Sequence, residues 1–278
     1  MVTHDDHDDF GGLHRDLRAT GAAMGRRNLF RMAAKLGGAV GALQLLGCGG
    51  SSTSPTASTA TTTTPTPTTN AACSVIPNET EGPFPGDGSN GPNVLTLSGV
   101  VRSDIRASFA GLSGTADGVP LTIALTIVSK STCAPIAGRA VYLWHCDRVG
   151  RYSLYTSGAT NQNYLRGIQE SDSTGKVTFT SIYPGRYSGR WPHIHFEVYP
   201  SLATAVSVAN KIATSQIAMQ KSSSDLVYAT AGYEASIPNL SQVSLASDMV
   251  FSDGASLELP TMTGSVAGGL TAAITVAV

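Results

Sequence analysis

From residue 94 to the end of this chain, short runs rich in β-branched and aromatic residues recur, each bounded by Gly, Pro, Asn or Asp. They read VLTLSGVVRSDI, PLTIALTIVSK, RAVYLWHCD, GKVTFTSIYPG, HIHFEVYP and LTAAITVAV. Runs of this length separated by turn signals specify strands, and their number specifies a mostly β fold: an antiparallel β-sandwich with long loops. Two Ala-rich stretches, residues 203–221 and 225–235, depart from the pattern and are expected to supply one or two short helices. The sequence contains no internal repeat, no GxGxxG, no GxxxxGK[ST] and no GxSxG. The nucleotide-binding and hydrolase functions that such motifs announce are therefore not indicated.

The residues ahead of these strands have a different character. In MGRRNLFRMAAKLGGAVGALQLLGC, Arg26 and Arg27 precede a weakly apolar segment, Ala33 to Leu46, which is the layout of an export signal of the twin-arginine kind. Met24 is an alternative start, because residues 1–23 are charged and add nothing to a signal. LLGC at 45–48 resembles a lipoprotein cleavage box, which would make Cys48 a lipid anchor; a short buried helix is the competing reading. Residues 51–69, SSTSPTASTATTTTPTPTT, cannot bury apolar surface and are read as a flexible tether. The expected organisation is an export signal at 1–48, a Ser/Thr/Pro-rich linker at 49–72 and a β-sandwich domain at 73–278. The expected location is periplasmic or at the cell surface.

Net charge is −1, from 18 basic and 19 acidic residues, so no broad field favours nucleic acid or an anionic membrane. The expected contact with membrane is the anchor at Cys48 alone. A small neutral or aromatic ligand suits this balance better. If Cys48 is lipidated, Cys73, Cys133 and Cys146 remain, an odd number, and the sequence does not choose which pair forms a disulfide. The absence of any CxxC argues against a thiolate zinc site.

HIHFEV carries the chemistry. In a strand, residues i and i+2 share a face, so His193 and His195 present two imidazoles side by side while Ile194 packs behind them. An HxH alone also fits two polar residues on a solvated strand. Tyrosine placement strengthens the metal reading. Tyr187 lies in the turn PGRYSGR, six residues before His193, and Tyr152 follows RAVYLWHCD at another turn.

Several separated segments then point to one family. TEGPFP at 80–85, VRSDIR at 101–106, VYLWHCDRVGRYSLY at 141–155 and GKVTFTSIYPGRYSGRWPHIHF at 175–196 resemble the intradiol ring-cleavage dioxygenases, the catechol and protocatechuate dioxygenases and their exported single-domain relatives. The resemblance covers about residues 75–275. It implies a mononuclear non-haem Fe(III) held by Tyr152, Tyr187, His193 and His195. It also implies cleavage of a catechol-type diol by O2 to a muconate-type diacid, with both oxygen atoms entering the product and no external reductant. Tyr187, read as the axial ligand, would accept a substrate proton. Arg190 would lie near the bound ring and stabilise developing negative charge. Gln169 stands where relatives have a polar pocket residue, and Pro83 and Phe84 in the stiff TEGPFP loop are expected to touch substrate. Arg102 and Asp104 are read as a structural pair. Phenolate oxygen suits a hard ferric ion better than thiolate does. The well-known catechol dioxygenases dimerise through an N-terminal helical segment; the signal and tether here leave the number of subunits open.

Two other classes compete. One is a non-catalytic transthyretin-like β-sandwich binding module at the cell surface that retains the HxH by chance. The other is a copper or zinc protein, which the lack of a third histidine or thiolate near the pair disfavours.

Overall fold

The computed structural model describes residues 73–278; the expected export signal and linker lie outside the described residues. Leu121, Ile123, Leu125 and Ile127 are buried along β1 (Pro120–Val128) while the residues between them are partly exposed. That alternation makes β1 the one-sided strand of an outer layer. β2 (Ala140–Trp144) and β5 (His193–Tyr199) are buried at every position, so both of their faces must be covered. The remaining strands are β3 (Arg166–Glu170), β4 (Lys176–Ile182), β6 (Ala213–Ala218), β7 (Thr261–Ser265) and β8 (Gly269–Ala277).

They form two four-stranded sheets, ordered β4-β1-β8-β7 and β3-β2-β5-β6. One core lies between the sheets, built from Ile123 and Leu125 of β1, Phe179 of β4, Ile194 and Phe196 of β5 and Ile274 of β8. The β-sandwich expected from the strand pattern is the fold observed. Its pairings are antiparallel except that β1 and β8 run parallel, from Leu121 beside Leu270 to Val128 beside Ala277. The second sheet also has a covered outer face, where Phe84, Tyr142, Trp144, Tyr152, Tyr187 and Tyr199 pack together. That outer layer carries the site.

Two local expectations were altered by tertiary context. VLTLSGVVRSDI is not a regular strand. It crosses from the edge of one sheet to the other: the Arg102 N–H donates to Ile168 O at 3.0 Å, and the Ile105 N–H donates to Thr180 O at 3.0 Å. Each contact is an isolated bridge, too short to become a ladder. Residues 203–221 are not helical throughout. After a 3₁₀ turn at Val208–Asn210 the chain forms β6, whose register against β5 runs from Ala218 beside His193 to Ala213 beside Val198. Pairing with a buried strand outweighs the weak helical preference of alanine. The two α-helices among the described residues are short, α1 (Lys221–Tyr228) and α2 (Ser236–Leu240). No helix among the described residues is long and apolar enough to cross a membrane. Cys73 and Cys133 form the disulfide and Cys146 is a buried free thiol.

Candidate active site

β5 divides its side chains between the two layers. Ile194, Phe196 and Val198 enter the sandwich core, while His193, His195, Glu197 and Tyr199 face the outer layer. The register sets Trp144 beside His195 on one flank and Gln216 on the other. Both histidines are buried, and their Nε2 atoms stand 3.0 Å apart. The Tyr152 hydroxyl lies 3.3 Å from His193 Nε2. The Tyr187 ring packs 5.7 Å from the Tyr152 ring and 5.8 Å from the His193 ring.

Protonation follows from these partners. His193 Nδ1 is 2.5 Å from the Trp191 carbonyl, which can only accept, so Nδ1 carries the proton and Nε2 presents its lone pair. His195 Nδ1 has no hydrogen-bond partner in the protein. No protein acceptor fixes its tautomer, and Nε2 can also present a lone pair. Burial, with Arg190 next in effect, pushes the His193 pKa down to about 3, and burial together with His193 holds His195 well below the ordinary imidazole value. Both rings are therefore neutral near pH 7, the form in which imidazole binds metal.

Two phenols and two imidazoles converging in a buried place make a hard nitrogen and oxygen donor set. No group of three or more His, Cys, Asp or Glu among the described residues is arranged to hold a metal, so a centre here depends on the tyrosines. The Cys146 thiol donates instead to Gly185 O at 3.4 Å. The donors fit ferric iron and do not fit a thiolate-bound metal.

The two tyrosine-bearing turns are built against each other. In the Tyr152 turn, Asp147 Oδ1 accepts from the Val149 N–H at 3.0 Å and the Arg151 N–H at 2.9 Å. Gly150 has φ +86°, and a Cβ there would stand 3.1 Å from Arg186 O and 3.3 Å from Tyr187 N. Glycine thus gives both the left-handed turn and the close approach that fixes Tyr152 relative to Tyr187.

Phe84 closes another side, its ring 4.7 Å from Tyr152, 5.4 Å from Tyr155 and 6.4 Å from Tyr187. The buried Arg166 guanidinium holds this loop by donating to Phe84 O at 2.9 Å, Pro85 O at 2.6 Å and Ser153 O at 3.0 Å. One side chain thereby ties the Phe84 loop to the residue after Tyr152. Pro83 is half-buried in the same loop, and its carbonyl accepts from Asn90 Nδ2 at 2.6 Å. Arg190 is buried, with Nε donating to Asp248 Oδ2 at 3.0 Å and Nη2 donating to Gln216 Oε1 at 2.8 Å.

The structure therefore brings together Tyr152, Tyr187, His193, His195 and Phe84, with Arg190 beside them. It does not bring Gln169 to them. Gln169 pairs with Val141, a residue of the opposite sheet face from Trp144 and His195, and strand alternation turns it away from the donors. Arg102 and Asp104 are not a pair: Asp104 binds Arg106 at 2.6 Å, and Arg102 Nε donates to Arg166 O at 3.0 Å. Sequence reasoning missed Gln216 and Asp248. ATSQIA carries no hydrophobic alternation and is buried at all six positions, so no local pattern marks Gln216 as facing the site, and Asp248 has no local signal either. Surface depressions of about 350 Å³ beside Asp104 and Asp117 and about 390 Å³ beside Leu226 and Met262 lie away from these side chains.

Fold and site together define a two-layer β-sandwich protein in which two imidazoles and two phenols come together on the outer face of one sheet. Residues 102–206, which supply all four, match the family model described as Dioxygenase. Among solved structures, an intradiol ring-cleavage dioxygenase from Tetranychus urticae is similar with a TM-score of 0.59 and 24% identity, over 74% of this chain and 94% of that one. The dioxygenase domain of a carbohydrate-binding fusion from Streptomyces sp. SirexAA-E aligns at TM-score 0.47 and 18% identity, over 74% of this chain and 98% of that one. Catechol 1,2-dioxygenase from Pseudomonas arvilla C-1 aligns at TM-score 0.43 and 18% identity, over 72% of this chain and 61% of that one. No curated protein matches the sequence. Residues 102–206 thus match the dioxygenase family model, and the chain has the fold of the intradiol ring-cleavage dioxygenases.

Proposed function

We propose that this protein is a ferric intradiol dioxygenase that cleaves a catechol-type diol with O2 to a muconate-type diacid. The observation that carries the reading is the convergence of His193 Nε2, His195 Nε2 and the Tyr152 hydroxyl within 3.0 and 3.3 Å contacts, with the Tyr187 ring against them. Tyr152, Tyr187, His193 and His195 would hold the iron, which when bound supplies Lewis acidity and a template for the diol.

The remaining roles belong to the protein. Tyr187, as a phenolate in the iron-loaded protein, would take a diol proton on its oxygen and become the neutral phenol, so that the substrate is bound as an anion. Arg190 lays a fixed positive charge beside the ring, where negative charge grows in the transition state. Phe84, stacked on Tyr152, supplies an apolar wall that excludes water and sandwiches an aromatic substrate. The buried imidazoles stay unprotonated, so the donor atoms are not lost to protons near pH 7. Export belongs to the same proposal: Arg26 and Arg27 ahead of the apolar segment, and LLGC ending at Cys48, support a lipid-anchored protein outside the cytoplasm.

The test is the visible spectrum of the purified iron-loaded chain, before and after anaerobic addition of catechol. A red protein with a broad phenolate-to-iron band that moves to longer wavelength with catechol, followed by O2-dependent formation of the diacid, is the expected result. A protein that stays colourless after ferric loading would overturn the proposal.

A further inference from the structure

The chain after β6 returns over the site and binds the backbone that carries Tyr187 and Arg190. Tyr228 donates to Pro184 O at 3.2 Å and Tyr233 donates to Tyr183 O at 2.8 Å. The Arg186 N–H donates to Ser236 Oγ at 2.9 Å. These are neutral contacts. One member of the segment is different: Asp248 is fully buried and accepts from five donors. Its Oδ2 takes the Trp191 N–H at 2.6 Å and Arg190 Nε at 3.0 Å; its Oδ1 takes the Val250 N–H at 2.9 Å, the Phe251 N–H at 3.3 Å and Arg190 Nη2 at 3.4 Å.

From this geometry we infer that Asp248 is the positioning residue for Arg190, holding the guanidinium at one fixed orientation beside the substrate pocket. The inference rests on the proposed dioxygenase reading and adds a residue to it. Stability alone does not account for the pair, because a buried ion pair is often no better than an apolar replacement of equal volume. What the pair provides is geometry. The carboxylate grips one edge of the guanidinium, Gln216 grips Nη2, and the Phe251 ring lies 6.0 Å from the guanidinium carbon. Gln216 is held in turn, its Nε2 donating to Thr80 O at 2.8 Å. Asp248 also binds the Trp191 N–H, and the Trp191 carbonyl accepts from His193 Nδ1, so one carboxylate aligns the charged residue with the strand that carries the histidines. Residues 221–248 lie outside the matched family segment, 102–206, so this support comes from a part of the chain that the family model does not cover.

The test compares the full-length iron-loaded protein with Asp248→Asn, Arg190→Gln and the double variant, using catechol as substrate. Asp248→Asn is expected to lower kcat/KM about 100-fold, the scale of a charge displaced by roughly 1 Å, while iron content and the phenolate-to-iron band stay as in the wild type. In the Arg190→Gln background the same change is expected to alter kcat/KM less than about twofold, because the group it positions is gone. The double variant removes both charges, leaves no uncompensated buried ion and gives a folded protein even if Asp248→Asn alone does not fold. Independent, multiplying losses in the double variant, or unchanged kinetics in Asp248→Asn, would overturn the positioning role while the dioxygenase reading stood. A wild-type protein with neither colour nor turnover would overturn both, and it would be seen before any variant was made.

Discussion

The indole of Trp144 and the imidazole of His195 are parallel, with an interplanar angle of 6° and centroids 4.9 Å apart. Tyr142 stacks on the other side of Trp144 at 5.1 Å, so the His195 ring ends a column of aromatic rings on the outer face of the second sheet. Trp144 fixes the plane of a donor ring whose Nδ1 has no hydrogen bond to do so. Trp144→Ala is expected to cost about 3–5 kcal/mol of stability and to weaken ferric binding about 10- to 100-fold, the usual effect of losing a group that orients a ligand. Urea unfolding and a competitive ferric titration measure the two losses separately. Unchanged iron affinity in a folded variant would show that the column serves packing alone.

Tyr187→Phe removes a phenol from the donor set and leaves the ring that packs on Tyr152 and His193. The variant is expected to retain iron with a displaced visible band and to turn over catechol at least about 100-fold more slowly, as loss of a positioned proton acceptor does. The iron-loaded spectrum and stopped-flow reaction with catechol read both effects. A wild-type spectrum and rate would remove Tyr187 from the site.

The site histidines were readable because a strand alternates with period 2, and HIHFEV lies fully within one. Tyr152 and Tyr187 were readable as turn residues, but their proximity depends on two turns meeting at Gly150, which no local pattern encodes. The motif around Gln169 does not show the facing of β3, which turns this side chain with that of Val141 away from the donors. Gln216 was lost for a related reason: six residues of ATSQIA become a strand only because β5 is there to pair with them. Asp248 meets Arg190 across 58 positions of sequence, a contact that exists only once the chain after β6 has folded back. The run at 94–105 has strand composition, yet it spans two sheet edges and has room for single bridges only.

Gly150→Ala tests the meeting of the two turns. A left-handed conformation costs a residue with Cβ roughly 1–2 kcal/mol, and the new methyl would press on Arg186 O and Tyr187 N at 3.1 and 3.3 Å. The expected outcome is a loss of about 2–3 kcal/mol together with a changed phenolate-to-iron band, as Tyr152 and Tyr187 move apart. Gly138→Ala is the control, since φ is +76° there but a Cβ would meet nothing within 4 Å. Strain alone would affect both variants equally and leave the band unchanged.

The Cys73–Cys133 disulfide closes a sequence separation of 60 residues. A loop of that size constrains the unfolded chain by about 4 kcal/mol at 25 °C in the chain-entropy account. For a domain of this size the paired substitution Cys73→Ser, Cys133→Ser is expected to lower Tm by roughly 10 °C. Calorimetry of the variant beside the wild type, both without reductant, measures it. Cys146→Ala is expected to leave the disulfide intact, because its thiol is buried and bonded to Gly185 O.

Glu197 makes stability depend on pH in a direction opposite to that of the histidines. It is fully buried, and burial pushes its carboxyl up to about 7 despite the Lys211 ammonium at 3.0 Å and the Tyr199 hydroxyl at 2.6 Å. Unfolded, it titrates near 4.5. Between these values the folded protein holds a proton that the unfolded chain has lost, so this group's contribution is complete below pH 4.5 and is lost as pH rises to about 7. The full span is worth about 3 kcal/mol at most. His193 acts the other way: its folded pKa of about 3 against 6.5 unfolded adds stability that is present above 6.5 and lost on acidification. In a single protein the two slopes overlap and partly cancel. Glu197→Gln removes only the first, so subtracting its stability from that of the wild type in the metal-free state isolates the carboxyl. The difference is expected to favour the wild type by more at pH 4.5 than at pH 7.5, and urea unfolding at intervals across that range measures it. A flat difference would mean that Lys211 keeps Glu197 ionised throughout.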